Sequence, residues 1–271
     1  MEIIINILKG VVISISQIVP GVSGGTIAIV LGIYDKLIHA VNNIIKDFKN
    51  QYKILLQVGI GAILGMFIFS NIINVIIDKY PIQIGYMFIG IILGGAPLMF
   101  KKSTENGFKK KNLIYLAIGI IVALLLSGSG VDNSAVIREL SFMNAIWLFI
   151  AGVIIAVALI LPGISGSFML LILGLYNTVM AAISEINIIV LLPILVGGIV
   201  GTLATARLIE WLLKKFPGET YMMIFGFVLA SVTGVFPGFQ LMQSLIGLIL
   251  GIIGFMFTYK ITKFDWYCRK F

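Results

Sequence analysis

Along the 271 residues, long apolar stretches alternate with short polar segments at a spacing that suits membrane-crossing helices. Uncharged runs reach 24 residues at Ile54 to Ile77 and 40 residues at Thr220 to Tyr259. Roughly 20 apolar residues cross the hydrocarbon core as a helix, so the longer run holds two crossings. The pattern predicts helices over 52–78, 82–100 and 112–129, and three more over 188–215, 218–236 and 241–260. Ahead of each trio lies an apolar segment interrupted by Pro-Gly, at 2–46 and at 141–184, which reads as a helical hairpin broken at its tip.

The two interrupted segments are copies of one another. IVPGVSGG at Ile18 to Gly25 recurs as ILPGISGS at Ile160 to Ser167, and each is followed by Gly-x-Tyr, at Gly32 to Tyr34 and Gly174 to Tyr176. At an offset of 142, Ile18 to Tyr34 and Ile160 to Tyr176 share eight identities in 17 positions. Farther on the offset falls to 136, where Gly61, Gly65, Lys79, Pro81 and Gly90 match Gly197, Gly201, Lys215, Pro217 and Gly226. The chain is therefore read as a first repeat over 1–130, a second over 141–262, and a tail over 263–271.

Composition narrows the class. Sixty per cent of residues are hydrophobic and 11% are charged, a balance that no soluble helical domain of this size could keep out of water. Charge then sets the orientation of the halves. If each broken hairpin enters and leaves on one side, 17 of the 19 Lys and Arg fall on one face, with Lys79 and Arg138 opposite. If each hairpin instead crossed once, the basic residues would divide ten to nine. Basic short loops mark the cytoplasm. The expected fold is thus an all-α polytopic membrane protein of two inverted-topology repeats, each a Pro-Gly-broken re-entrant helical hairpin plus three transmembrane helices. Both termini are expected to be cytoplasmic. Re-entrant hairpins are favoured over full crossings because a Pro-Gly break frees backbone groups that hydrocarbon cannot satisfy.

The residue types of the turns point to an anion. Pro20 and Pro162 stop the first arm, and Gly21 and Gly163 permit tight backbone. Ser23, Gly24, Gly25 and Thr26 then open the second arm in one copy, and Ser165, Gly166 and Ser167 in the other. The start of a helix has unpaired N–H groups and partial positive charge, which suit a phosphate or carboxylate. One such turn is also an ordinary cap and bend; duplication in inverted halves is what favours a paired midplane site.

Few charges lie inside the spans, and each has two readings. Arg207, about 12 Å short of Lys215 along its helix, either supplies a cation to the ligand, with Glu210 orienting it, or snorkels to the surface and pairs with Glu210. Lys9 either adds a second cation or snorkels from its arm. Asp35 is either a solvated helix end or a proton-coupling group. Glu185 is equally open as a coupling group. The +8 net charge is explained by orientation and anionic lipid heads, with no aromatic and basic interleaving for nucleic acid. Gly61-x-x-x-Gly65 and Gly197-x-x-x-Gly201 read as close helix packing.

Other classes fit poorly. The only Cys, Cys268, lies in the charged tail, so neither an intrachain disulfide nor a multi-thiolate metal site is available, and no cofactor pattern is found. Lys9 interrupts the first apolar run and no small-residue cleavage pattern precedes Pro20, so this segment is expected to stay in the mature fold. A membrane lipid phosphatase would need a nucleophile or metal with a positioned base; the only His is His39, in a charged stretch, and no paired carboxylates share a spanning face. No residue is therefore assigned a catalytic role, and a transporter of a small soluble anion is the main alternative to a lipid carrier.

PGVSGGT at Pro20 to Thr26 with LGIY at Leu31 to Tyr34, and LPGISGS at Leu161 to Ser167 with LGLY at Leu173 to Tyr176, resemble the bacterial polyprenyl-phosphate (undecaprenyl phosphate) transporter family, PopT. The resemblance covers nearly the whole chain. It implies a translocase of the cytoplasmic membrane that returns undecaprenyl phosphate from the outer to the inner leaflet, recycling the carrier lipid of cell-wall peptidoglycan synthesis. It also implies phosphate-binding roles for Ser23, Gly24, Gly25, Thr26, Ser165, Gly166 and Ser167, and for Arg207. Oligomeric state and driving force are left open.

Overall fold

The apolar runs become helices, and some of the Pro and Gly clusters lie inside them, Gly94, Gly95 and Pro97 in one and Pro193, Gly197 and Gly198 in another. The computed structural model describes residues 2–19, 22–105, 107–126 and 136–270. In the first half these form α1 (Glu2–Ile18), α2 (Gly24–Val30), α3 (Tyr34–Asn43), α4 (Phe48–Lys79), α5 (Pro81–Ser103) and α6 (Asn112–Leu126). In the second they form α7 (Phe142–Ile160), α8 (Gly166–Ile172), α9 (Tyr176–Ser184), α10 (Ile188–Lys215), α11 (Pro217–Val235) and α12 (Leu241–Lys270). The protein is an all-helical, multi-pass membrane protein. Six helices, α4, α5, α7, α10, α11 and α12, are long and apolar enough to cross a bilayer. The roles expected of Pro20 and Gly21, and the end of the helix expected over 112–129, lie outside the described residues.

Local geometry recurs at positions that match between the halves. Pro81 and Pro217 occupy the first turn of α5 and α11, where a missing N–H costs nothing. The residues before them, Tyr80 and Phe216, share φ −134° with ψ 51° and 59°. Gly32 and Gly174 take φ 64° and 67°, left-handed values that favour glycine, and turn the chain between α2 and α3 and between α8 and α9. At Gly32 the break is sharp, with α2 and α3 inclined by 115°. The return arm of the first broken element is thus two short pieces rather than one helix.

Helix pairing depends on small residues, because lipid tails compete equally for apolar surface and close backbone approach is what remains to stabilise association. α1 packs on α4, and α7 on α10. A Cβ at Gly61 would lie 2.0 Å from Ile7 O, and one at Gly197 would lie 2.0 Å from Phe149 O. The remaining long pairs cross between halves: α12 lies on α5, and α6 on α11. At Gly90, a Cβ would lie 1.9 Å from Gly251 O, and at Gly226, 2.3 Å from Leu116 O. α5 and α11 also meet each other at the centre. Half of the most apolar stretch of α11 is buried, 50%, against 11% for α4, which places α11 inside and α4 at the lipid-facing rim. Ile92, Met99, Ile224 and Val228 fill the space between α5, α11 and the short helices.

Candidate functional site

The first turn enters the core. Ser23 is buried and precedes α2 in extended conformation (φ −92°, ψ 130°), with no side-chain cap bond. Gly24, Gly25 and Thr26 follow in the first helical turn, whose amides have no carbonyl partner within the helix. Thr26 is fully buried, and its Oγ1 has no hydrogen-bond partner. Gly25 faces the other half: a Cβ there would lie 3.2 Å from Pro162 Cα and 3.4 Å from Ile160 O. Gly25, at the start of α2, therefore lies against the backbone of Pro162 in the second turn.

Tyr34 fastens this contact. Its buried hydroxyl donates to Ile160 O at 3.1 Å, satisfying one of the carbonyls left open at the end of α7. The matching Tyr176 is 36% exposed, against 4% for Tyr34, so the fastening runs one way. The second turn sits differently. Ser165 precedes α8 with φ −91° and ψ 124°, again without a side-chain cap bond. Gly166 is buried, and Gly163, at φ 84°, presses on α11, where a Cβ would lie 2.2 Å from Phe227 O. Ser167 lies in the first turn of α8.

Around the contact is a cavity of about 180 Å³, bordered by Gly24, Gly25 and Ala28 of α2, Tyr34 of α3, and Leu159 and Ile160 of α7. Leu159 also borders an apolar groove of about 390 Å³ that runs between α7 and α10, past Ile155, Gly198 and Ile199. Gly198 meets nothing within 4 Å of where its Cβ would sit. Cavity and groove thus share one bordering side chain. Among the described residues, Gly24 and Gly25 border the cavity directly, while Ser165 and Gly166 do not. Because α2 and α8 are only seven residues long, their dipoles are small, and the donors on offer are individual amides and hydroxyls.

The charged candidates lie elsewhere. Lys9 donates from Nζ to Leu31 O at 2.7 Å, at the far end of α2. Its charge stabilises a helix C-terminus. Arg207 is exposed on α10. Glu210 is buried, but its partners are not Arg207: Oε1 lies 2.8 Å from His39 Nδ1 and accepts from Lys214 Nζ at 2.6 Å, and Oε2 accepts from Asn42. The carboxylate thereby joins α3 to α10. Asp35, in the first turn of α3 and partly exposed, is paired there: its Oδ2 accepts from Lys102 Nζ at 2.6 Å and from Tyr221 OH at 2.7 Å. It links α3 to α5 and α11. Glu185 pairs loosely with Arg138, at 3.6 Å, between exposed side chains. The fastening roles of Tyr34, His39, Lys102 and Tyr221 were not evident from the sequence; only Tyr34 carried a signal, as part of the repeated Gly-x-Tyr.

Six of the described helices are of bilayer length, and the chain is a multi-pass membrane protein with a cavity beside its first broken turn. The chain belongs to the undecaprenyl phosphate translocase-like family, whose sequence model matches residues 13–248. It is 36% identical over 264 residues to a polyprenyl-phosphate transporter of Staphylococcus aureus, covering 93% of each chain. It is 31% identical over 252 residues to a polyprenyl-phosphate transporter of Vibrio cholerae, covering 88% of this chain and 79% of the other. No solved structure matches. The chain is accordingly a transporter and not an enzyme.

Proposed function

We propose that the protein translocates polyprenyl phosphate, carrying undecaprenyl phosphate from the outer to the inner leaflet for reuse in cell-wall synthesis. The observation that carries this reading is at Leu159, which borders both the cavity beside Gly24 and Gly25 and the apolar groove on the flank of the bundle. A phosphate crossing bare hydrocarbon meets a desolvation cost of tens of kcal/mol on a Born estimate, whereas an isoprenoid chain is at home in lipid. The head alone needs shelter. In this reading the first-turn amides of Gly24 and Gly25, with the hydroxyls of Ser23 and Thr26 beside them, receive the phosphate, the tail lies along the α7–α10 groove, and Ser165 joins only with the second turn. Gly166 and Ser167 would contribute donors once the second turn swings toward the cavity; Arg207 lies outside this arrangement.

The halves are read as inverted repeats with both termini cytoplasmic, supported by the one-sided distribution of Lys and Arg and by the matched corner angles. Rocking one half against the other would open the cavity to each leaflet in turn. A soluble anion would have no use for an apolar groove beside the site. The test is a reconstituted flipping assay with undecaprenyl phosphate on Leu159→Trp and Gly198→Phe, which fill the shared border and the groove. Both variants are expected to lose lipid transfer while staying folded. Full transfer by both would overturn the route.

A further inference from the structure

A second, more polar chamber lies between α1, α3 and α4, helices that also line part of the central cavity. It encloses about 360 Å³ between the start of α1, the middle of α3 and the start of α4. Lys36 and Lys53, both exposed, border it, and so does His39, whose Nδ1 lies 2.8 Å from Glu210 Oε1. At its floor, Asn6, only 7% exposed, donates from Nδ2 to Gln57 Oε1 at 2.8 Å. Glu2 stands at the mouth, 3.6 Å from Lys36 Nζ, and both side chains are more than half exposed. An exposed pair at that distance is weak and readily displaced by a better anion.

Several polar positions of this chamber have apolar counterparts in the second half. At the repeat offsets of 142 and 136, Asn6 corresponds to Leu148, His39 to Ala181, Lys53 to Ile189 and Gln57 to Pro193. Leu148 is fully buried, so the same position in the second half serves ordinary packing. Helix packing in this architecture therefore does not require amides or ammonium groups here. Two lysines converging on a chamber floored by amides suit a compact dianion bearing several acceptor oxygens. The apolar rim suits a lipid: Ile3, 58% exposed, and Ile54 border the same chamber.

We infer that the chamber formed by α1, α3 and α4 is a second binding site for a phosphate monoester, held by Lys36 and Lys53, where the lipid head docks at the inner face after leaving the central cavity. Its occupant rests on the translocase reading; its chemistry does not. The test uses the full chain in nanodiscs with a photoreactive polyprenyl phosphate, mapping labelled peptides by mass spectrometry. Wild-type protein is expected to label at the starts of α1 and α4. Lys36→Gln with Lys53→Gln is expected to lower that labelling roughly tenfold, and Lys36→Arg with Lys53→Arg to restore it. Undiminished labelling in the Gln pair would overturn the site, as would equal labelling by the uncharged polyprenol. Competition by inorganic phosphate would show that the group alone suffices; competition by lipid phosphate only would assign the site to the lipid. Leu159→Trp, labelled from the inner side, is expected to keep the chamber signal, and losing it would deny a separate site. A wild type that labels here but moves no lipid would sink the translocation reading alone.

Discussion

Thr26 holds a fully buried hydroxyl with no partner, a condition that costs about 1–3 kcal/mol. Thr26→Val keeps the shape and removes that cost. The variant is expected to unfold at higher temperature, by about 1 kcal/mol of added stability, while binding polyprenyl phosphate more weakly. Unchanged binding would take the hydroxyl out of the site. Tyr34→Phe acts in the opposite direction, because it leaves Ile160 O buried without its donor. A loss of about 1–3 kcal/mol is expected in detergent unfolding, together with slower lipid transfer. The functional weight of Tyr34 could be suspected from its repeat, but the one-way contact could not: Tyr34 and Tyr176 stand in the same motif and differ only in what folds over them. Arg207 illustrates the converse. As the lone arginine of an apolar span it drew attention, yet which face of α10 is covered depends on α3 and α7, which the local sequence does not describe.

At the scale of elements, the presence of helices was legible because hydrophobic length is a local property, but which of them reach bilayer length was not: α7, read as one arm of a re-entrant hairpin, is among the six, and described α6 has 15 residues. Pairing was only half legible. The glycines at positions 61, 65, 197 and 201 announced close packing, but their partners, α1 and α7, come from contacts across tens of residues. A leucine at Gly61 would drive its Cβ into Ile7 O, so Gly61→Leu is expected to abolish folded, monodisperse protein on size-exclusion chromatography. Gly59→Leu, two residues away, meets nothing within 4 Å and is expected to be tolerated. Comparable losses at both positions would mean that glycine there serves something other than the α1–α4 contact. The break at Gly32 was also beyond reach, since the angle between α2 and α3 is set by Lys9 holding Leu31 O and by Asp35 and Glu210 anchoring α3.

For the molecule as a whole, inversion of the halves predicts where loops surface. On a Cys268→Ser background, Lys46→Cys and Glu185→Cys, exposed positions that follow the first and second broken elements, are expected to react with impermeant thiol reagents from opposite sides of the membrane. Reaction from the same side would exclude inversion. The exchange of closing helices, α12 onto α5 and α6 onto α11, has a different kind of consequence. While the chain is being made, α5 enters the bilayer with its glycine-lined face at Gly90 and Gly94 uncovered, and its cover, α12, emerges only after all of α7 to α11. The first half cannot finish folding before α12 has been made. The arrival of α12 is thus itself the checkpoint, and a chain stopped before position 241 presents the cell with an unclosed helix seam that membrane quality control can read.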